Sequence, residues 1–200
     1  MIILGICCSP RKGQTTYKAM EICLEAARAE DPAVSTQRIE LAELDIRPCK
    51  ACGECKTRLA CPINDDFASL VPLLSNPDVA GMIVGTPVYF GTMTAQCKAL
   101  LDRCVMFRRN GWLFRDRVGG VLAVGGVRNG GQELAIQSVQ AAMLCHDMVC
   151  VSEGQPTAHF GATVFSGAEG GVECDHYGMQ TARHLGKRVA RLALTIRRLP

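Results

Sequence analysis

Short hydrophobic segments alternate with polar or glycine-rich loops and with amphipathic helices along most of the chain. Five segments are predicted strands: residues 2–7, 36–41, 82–86, 118–124 and 148–152. The first is continuously apolar, which is typical of a central parallel strand covered on both faces. Apolar side chains recur at helical spacing in three sets: Tyr17, Met20, Leu24 and Ala27; Met93, Cys97, Leu100, Leu101 and Cys104; and Leu185, Val189, Leu192 and Ile196. Two further helices are predicted, one at 67–74 and one that follows the loop at 125–132 and ends at about residue 145.

The repeated order of strand, loop and helix predicts an α/β three-layer, doubly wound fold with a parallel sheet. Five strands favour the flavodoxin-like order 2-1-3-4-5. We expect a single domain over residues 1–200, with a cysteine-rich loop at 47–66 inserted before the second helix. Residues 155–177 are glycine-rich and are expected to be irregular, as a surface excursion or a subunit contact.

Length and composition exclude several classes of protein. A chain of 200 residues buries enough surface to fold without disulfides. The net charge of +3 is too small to indicate a nucleic-acid partner, and no apolar run reaches the ~20 residues of a membrane span. The first residues lack the basic segment of a signal peptide. We therefore expect a cytoplasmic protein whose twelve cysteines are reduced.

Four of the cysteines are clustered in a pattern that indicates a metal centre. Cys49, Cys52, Cys55 and Cys61 are separated by two, two and five residues, and Pro62 follows the last. Bacterial ferredoxins bind iron–sulfur clusters through a similar run that also ends in Cys-Pro, so a [4Fe–4S] cluster is favoured. A zinc site usually has two separated cysteine pairs. Zinc and free or redox-active thiols remain the alternatives.

The loop after the first predicted strand has the composition of a phosphate site. Ser9, Thr15 and Thr16 carry hydroxyls, and Arg11 can bind phosphate through two hydrogen bonds. A helix follows, and its N-terminal N–H groups favour an anion. The loop lacks both the P-loop ending and the dinucleotide glycines, so a monophosphate such as that of FMN suits it better. The alternative is a capped helix with unrelated charges nearby.

Two further loops follow predicted strands, where ligands of open α/β sheets bind. Tyr89 and Phe90 could border a flat ring there, or could be ordinary core aromatics. Four glycines follow the fourth strand: Gly125, Gly126, Gly130 and Gly131. Glycine at so many positions indicates positive φ or a close approach to a ligand. On the last helix, Arg183, Lys187 and Arg191 are expected to be solvated surface, with an acidic partner protein as the alternative.

Together these segments resemble the NAD(P)H-dependent FMN reductase superfamily. The resemblance rests on residues 9–13 with Thr15, on residues 86–91 and on residues 98–103. The four-cysteine insertion, the following Asp65-Asp66 and residues 128–133 are similar to its iron–sulfur flavoprotein branch. The match covers nearly the whole chain. It departs from the family pattern at Cys8, where glycine is usual, and at Gln14, where asparagine is common.

The resemblance implies a set of cofactor ligands. The FMN phosphate would be held by Ser9, Arg11, Gln14, Thr15 and Thr16. The isoalloxazine would be bordered by Pro87, Val88, Tyr89, Phe90 and Gly91, with Gly125, Gly126, Gly130 and Gly131 at its pyrimidine edge. The [4Fe–4S] cluster would be bound by Cys49, Cys52, Cys55 and Cys61. No side chain is assigned a catalytic role, because the cofactors carry the chemistry.

The leading hypothesis is an FMN-dependent oxidoreductase that relays electrons between a [4Fe–4S] cluster and FMN. The electron donor would be a ferredoxin or NAD(P)H, and a homodimer or homotetramer is expected. One alternative is an NAD(P)H-dependent FMN or quinone reductase without a functional cluster. A second is a flavodoxin-like carrier with a zinc-stabilised loop.

Overall fold

One parallel sheet organises the part of the chain that the computed structural model describes, residues 1–199. Its strands are β1 (Ile2–Cys7), β2 (Ser35–Glu40), β3 (Val79–Pro87), β4 (Val118–Gly125), β5 (Val149–Cys150) and β6 (Ala162–Phe165). The order β2-β1-β3-β4-β5 confirms the predicted flavodoxin-like arrangement. Pro200, the last residue of the predicted domain, lies outside the described residues.

The edge of the sheet beside β4 differs from the prediction of one fifth strand at 148–152. β5 pairs only with Val118 and Gly119 at the start of β4. β6 pairs in parallel with Leu122 to Gly125, at the other end of the same strand. The prediction that 155–177 is irregular was therefore wrong in part, because this segment contains β6 and a 3₁₀ turn at Val172–Cys174. Residues 151–161 leave the sheet between the two short strands.

Six helices within residues 1–199 cover the two faces of this sheet. They are α1 (Thr15–Arg28), α2 (Phe67–Leu74), α3 (Ala95–Arg103), α4 (Val105–Arg109), α5 (Gln132–Leu144) and α6 (His176–Arg197). α1 and α6 pack side by side on one face, while α2 to α5 cover the other. No helix in the described part of the chain is long and apolar enough to span a membrane.

The central strands β1, β3 and β4 are apolar at nearly every residue because both of their faces are buried. In β3, Ile83 joins the core beneath α1 and α6, whereas Met82 and Val84 join the core beneath the other helices. Successive side chains of a strand point to opposite faces, and both faces are covered by helices. Close contact between α1 and α6 depends on Gly186, since a Cβ there would lie 1.9 Å from the carbonyl oxygen of Cys23.

Candidate functional site

Three loops meet at the carboxyl edge of the sheet, where β1, β3 and β4 end. The backbone N–H of Cys8 donates to the carbonyl of Gly85 at 2.7 Å, and Val88 N–H donates to Val124 O at 2.8 Å. The hydroxyl of Thr94 donates to Cys8 O at 2.8 Å. These bonds join the loops that follow all three strands into one surface. The predicted ligands of the phosphate and of the isoalloxazine therefore lie along the same edge.

The first loop leaves the N-terminus of α1 open. Gln14 stands at the N-cap but forms no side-chain capping bond, and the first turn of α1 holds no acidic residue. The capped-helix alternative is therefore not supported by the described residues. Arg11 and Gln14 are exposed, whereas Ser9 and Thr16 are buried. An open helix start beside an exposed arginine can bind an anion.

Hydrogen bonds within the first loop fix its shape and occupy some of its polar groups. Arg11 N–H donates to Ser9 Oγ at 3.1 Å, and the Ser9 hydroxyl donates to Arg11 O at 3.2 Å. Gly13 has φ +65° and its N–H donates to the Glu40 carboxylate at 2.8 Å. Ser9 therefore folds the loop, while the groups directed outward are the Arg11 side chain and the N-terminal N–H groups of α1.

The second loop presents two aromatic side chains to solvent. Tyr89 and Phe90 are both exposed, Phe90 completely, so the alternative that they are core residues is wrong. A tight turn holds them out: Phe90 has φ +48°, Gly91 has φ +81°, and Tyr89 N–H donates to Thr92 O at 2.9 Å. Pro87 is buried and Val88 is half-buried beneath the turn. The loop therefore offers an apolar, aromatic border to this edge.

Two glycines of the third loop are required by the loop itself. A Cβ at Gly125 would lie 2.2 Å from Gln132 Nε2, and a Cβ at Gly130 would lie 2.9 Å from Val127 O. Gln132 fills the turn, accepting from Gly130 N–H and donating to Val127 O, both at 2.8 Å. Packing around this buried glutamine thus accounts for these glycines without a ligand.

Of the other two glycines, Gly131 faces the second loop and Gly126 faces outward. Gly131 has φ +90°, and a Cβ there would lie 3.3 Å from Gly91 Cα. The turn of the third loop therefore touches the turn of the second. Gly126 is exposed, with no atom within 4 Å of its Cβ position among the described residues. A ring could approach the backbone at Gly126, where no side chain intervenes.

An ion pair that the sequence analysis did not identify anchors the third loop. The guanidinium of Arg128 donates to the carboxylate of Asp175, which caps α6 by accepting from Gly178 N–H at 3.1 Å. Asp175 also accepts from Phe165 N–H in β6 at 2.7 Å. Burial acts to raise the pKa of Asp175, but the hydrogen bonds from Arg128, Phe165 and Gly178 outweigh it and hold the pKa below its ordinary value.

The four clustered cysteines line one cavity. Cys55 is buried, Cys61 is half-buried, and Cys49 and Cys52 are exposed at its rim. The loop turns sharply at Gly53, which has φ +85° and begins a 3₁₀ turn at Glu54–Lys56. None of the twelve cysteines forms a disulfide within residues 1–199. Within residues 1–199, no three His, Cys, Asp or Glu side chains converge on a position for a single metal ion.

Helix α4 supports the buried cysteine. Arg109 Nη1 lies 3.1 Å from Cys55 Sγ and donates to it. Asn110 Nδ2 donates to Cys55 O at 2.9 Å. A guanidinium beside a sulfur stabilises thiolate charge, and hydrogen bonds to cluster sulfurs tune reduction potentials. Neither residue was predicted, because each lies more than fifty positions away from Cys55 in the chain.

Arg103 at the end of α3 connects both ends of the cysteine loop. Its guanidinium donates to Arg47 O at 2.9 Å where the loop begins. It also forms a two-bond pair with Asp65, at 2.8 and 3.1 Å, where the loop ends. Arg103 Nε is buried without a hydrogen-bond partner among the described residues, and Arg103 lines the cavity together with Cys61. The cavity thus combines four thiols with an unused N–H donor, which fits the thiolate and sulfide chemistry of an iron–sulfur cluster.

Helix α3 connects the two sites. Thr94 caps its start, accepting from Cys97 N–H at 3.2 Å while donating to Cys8 O in the first loop. Arg103 at its other end holds the cysteine loop. Nine helical residues span roughly 13 Å at 1.5 Å per residue. The cysteine cavity and the three-loop edge are therefore positioned by one rigid element.

Comparison with known proteins identifies the family of this chain. The family model described as NADPH-dependent FMN reductase matches residues 1–163. An iron–sulfur flavoprotein of Methanocaldococcus jannaschii is 41% identical over 99% of this chain and 100% of the relative. An iron–sulfur flavoprotein of Methanosarcina thermophila is 39% identical over 94% of this chain and 93% of the relative. Among solved structures, a flavodoxin-type WrbA-like protein from Agrobacterium tumefaciens superposes with a TM-score of 0.65 at 20% identity, covering 97% of each chain. That last similarity shows the fold alone.

Proposed function

Since this chain belongs to the NADPH-dependent FMN reductase family, in its iron–sulfur flavoprotein branch, we propose that it relays electrons between a [4Fe–4S] cluster and FMN. The chain is an oxidoreductase. One observation supports the relay: the four cysteines line one cavity, and α3 connects that cavity to the three-loop edge. Arg103, at the end of α3 farther from the three-loop edge, holds the cysteine loop in place. When bound, FMN supplies two-electron and the cluster one-electron chemistry.

The three loops would hold FMN through distinct groups. Its phosphate would lie at the open start of α1, where N–H groups and the exposed Arg11 provide positive charge. Ser9 shapes that loop, and Gln14, Thr15 and Thr16 complete it. The flat ring would be bordered by the turn at Pro87, Val88, Tyr89, Phe90 and Gly91. Its pyrimidine edge would face Gly126, near the contact between Gly91 and Gly131.

The cysteine loop would hold the cluster through Cys49, Cys52, Cys55 and Cys61. Arg109 donates to Cys55 Sγ and would stabilise negative charge on the sulfur. Burial of Cys55 and of the Arg103 side chain would exclude water from one side of the cavity. Exposure of Cys49 and Cys52 would leave the other side open to a redox partner.

The surface around this loop favours an acidic partner. Exposed cations lie on the cysteine loop or line its cavity: Arg47, Lys50, Lys56, Arg58 and Arg109. Complementary charge accelerates the association of redox proteins. We therefore propose a ferredoxin as one electron donor, with NAD(P)H at the flavin as the other. The protein would be a cytoplasmic homodimer or homotetramer without a nucleic-acid or membrane partner.

The visible spectrum of anaerobically purified protein, with iron and sulfide analysis, tests the cofactor content. Flavin bands on a broad cluster absorption are expected. Flavin without iron would favour an NAD(P)H-dependent FMN or quinone reductase without a functional cluster. Zinc in place of iron would favour the flavodoxin-like carrier.

Substitution of one cluster ligand tests the relay itself. We expect Cys52→Ser to retain FMN but to lose flavin reduction by reduced ferredoxin, while dithionite still reduces the flavin directly. Cys145→Ser is the matched control, because Cys145 is also exposed but lies at the end of α5. If the cluster-free Cys52 variant accepted electrons from ferredoxin at the wild-type rate, the cluster would be structural and the relay would be wrong.

A further inference from the structure

A cleft of about 460 Å³ lies where the edge of the sheet is interrupted between β5 and β6. Residues 152–155 and Ala158 line one side of the cleft, and the middle of α6 forms the opposite wall. It shares no lining residue with the cysteine cavity or with the three loops proposed to bind FMN. Its volume falls within the roughly 300–1,000 Å³ of small-molecule sites.

A buried carboxylate lies in this cleft with one oxygen unused. Glu153 is 1% exposed, and its Oε1 accepts the backbone N–H of His159 at 2.7 Å. Glu153 Oε2 has no hydrogen-bond partner among residues 1–199. Leaving a buried carboxylate oxygen without a donor is costly. The cleft is therefore suited to a ligand that donates a hydrogen bond at this position.

A second unused polar atom lies on the wall of the cleft. His184 on α6 lines it, and its buried Nδ1 also lacks a partner within the described chain. An imidazole nitrogen can donate or accept, depending on the tautomer. Glu153 offers a hydrogen-bond acceptor, and His184 can act as donor or acceptor. Hydroxyl and amide groups match this pair better than an ion such as phosphate does, because they can both donate and accept hydrogen bonds.

The same wall of the cleft carries positive charge. Lys187 and Arg188 line it one turn of α6 beyond His184, and Arg191 lines it two turns beyond. Arg191 pairs with Glu30, whereas Lys187 and Arg188 have no carboxylate partner in residues 1–199. Of the three cations predicted to be solvated surface, Arg183 and Arg191 are exposed and Lys187 is partly exposed. Lys187 and Arg188 are therefore available to an anion.

We propose that this cleft binds a nucleotide through its ribose phosphate. A sugar hydroxyl donates to Glu153 Oε2, and the phosphate lies between Lys187 and Arg188. Inorganic phosphate alone would place a like charge beside Glu153 and leave its oxygen unused. Acidic residues bind ribose hydroxyls in the same manner in dinucleotide-binding folds. Two sources carry this chemistry, a free nucleotide and the phosphorylated adenosine end of NADPH.

Calorimetric titration of the FMN-loaded full-length protein tests the site. The probes are 5′-AMP, 2′,5′-ADP as the phosphorylated adenosine end of NADPH, and inorganic phosphate. We expect at least one nucleotide to bind roughly tenfold or more tightly than phosphate, because only the nucleotide satisfies Glu153. Glu153→Gln keeps an oxygen for His159 N–H but replaces the free acceptor by a donor. It should weaken nucleotide binding by roughly ten- to a hundredfold.

Charge variants separate the cleft from the general basicity of α6. The double substitution Lys187→Ala and Arg188→Ala should abolish measurable nucleotide binding. Arg183→Ala is the control, since it removes an exposed cation of the same helix outside the cleft. Circular dichroism melts confirm that each variant is folded. Competition with NADPH identifies the source of the nucleotide. If NADPH displaces bound 2′,5′-ADP, the ligand is the dinucleotide. If NADPH leaves the binding of 5′-AMP unchanged, the ligand is a free nucleotide.

Three results would overturn the proposal: no nucleotide binding, phosphate binding as tight as nucleotide binding, or unchanged affinity in folded Glu153→Gln. Binding is read without electron transfer, so its outcome is independent of the proposed relay. A relay that failed with nucleotide binding intact would leave this site in place.

Discussion

Arg103 and Asp65 form a two-bond ion pair in which both side chains are buried, although 38 positions separate them in the chain. The same guanidinium bonds the carbonyl of Arg47, so one side chain closes the cysteine loop at both ends. Burial acts to raise the pKa of Asp65, but hydrogen bonds from Arg103 and from the backbone of Arg47 lower it below its usual value. The carboxylate is thus held charged against its partner.

Removal of this carboxylate should release the cysteine loop. We expect Asp65→Ala to lower the free energy of unfolding by about 3–5 kcal/mol, because it leaves Arg103 buried without its partner. Iron and sulfide content should fall while FMN remains bound. Asp102→Ala on α3 is the control: its exposed pair with Lys98 contributes only about 0.3–0.5 kcal/mol. Denaturant titration and iron analysis measure both effects, and full iron content in Asp65→Ala would contradict the role of the pair.

Arg11 should contribute directly to FMN affinity. A charged hydrogen bond to phosphate contributes about 1.5–3 kcal/mol, so Arg11→Ala should weaken FMN binding by roughly ten- to a hundredfold without unfolding the apoprotein. Lys12→Ala is the matched control, because the adjacent Lys12 is engaged with exposed Glu43. Fluorescence titration of the apoprotein with FMN gives both affinities. Equal affinities for the Arg11 variant and wild type would remove Arg11 from the site.

Charge around the cysteine loop should control the rate of reduction by ferredoxin. Lys56 and Arg58 are exposed beside Cys55. Replacing both with glutamate should slow reduction at low ionic strength by roughly tenfold or more, because charge complementarity mainly sets association rates. The difference should shrink as salt rises to 1 M, where the Debye length is about 3 Å. Stopped-flow measurements test this against Arg28→Glu with Arg183→Glu, which reverses two exposed cations away from the loop.

The three-loop edge carries apolar side chains suited to a subunit contact. Leu134 and Tyr177 line a surface cleft that also includes Gly131. Gly131 contacts Gly91 in the second loop, and the fully exposed Phe90 is the residue before Gly91. Within residues 155–177, Phe160 and Tyr177 are exposed, whereas Val164 is buried in β6. We expect light scattering to give a homo-oligomer at micromolar concentration.

One substitution tests whether this edge is the contact. Leu134→Asp should shift the protein toward monomers, because it places a charge in an apolar interface. Leu144→Asp is a closely matched control, since both leucines are 62% exposed on α5 but Leu144 lies at its opposite end. A monomeric wild type would refute the oligomer, and unchanged mass in Leu134→Asp would move the contact elsewhere.

Asp175 should make stability depend on acid pH. Its folded pKa is lowered, so its contribution is complete above the unfolded value near pH 4 and is lost as pH falls through the folded value. Asp175→Asn should therefore destabilise the protein at pH 7, and the difference from wild type should shrink as pH falls through the folded pKa of Asp175. Urea unfolding across this range measures the convergence, with the exposed Asp116→Asn as the control. A constant difference at all pH values would exclude the charge as its cause.

Local pattern was sufficient to predict most of the fold. The bounds of β1 and α2 match the predicted 2–7 and 67–74, and the sheet order follows from the alternation of strands and helices. Hydrophobic periodicity encodes these elements because each one must bury a face against its neighbours. The spacing of the four cysteines likewise predicted that they would share one site, since a short loop can bring close thiols together without distant partners.

Only the tertiary structure determined which groups support these sites. Arg103, Arg109 and Gln132 carry no local signal of what they contact, because their partners are distant in the chain or depend on the shape of a turn. The same holds for the split of the edge strand and for Glu153 and His184, which residues 151–161 and α6 bring together. Secondary structure depends on contacts between near neighbours, whereas a buried polar group depends on whichever partner the folded chain places beside it.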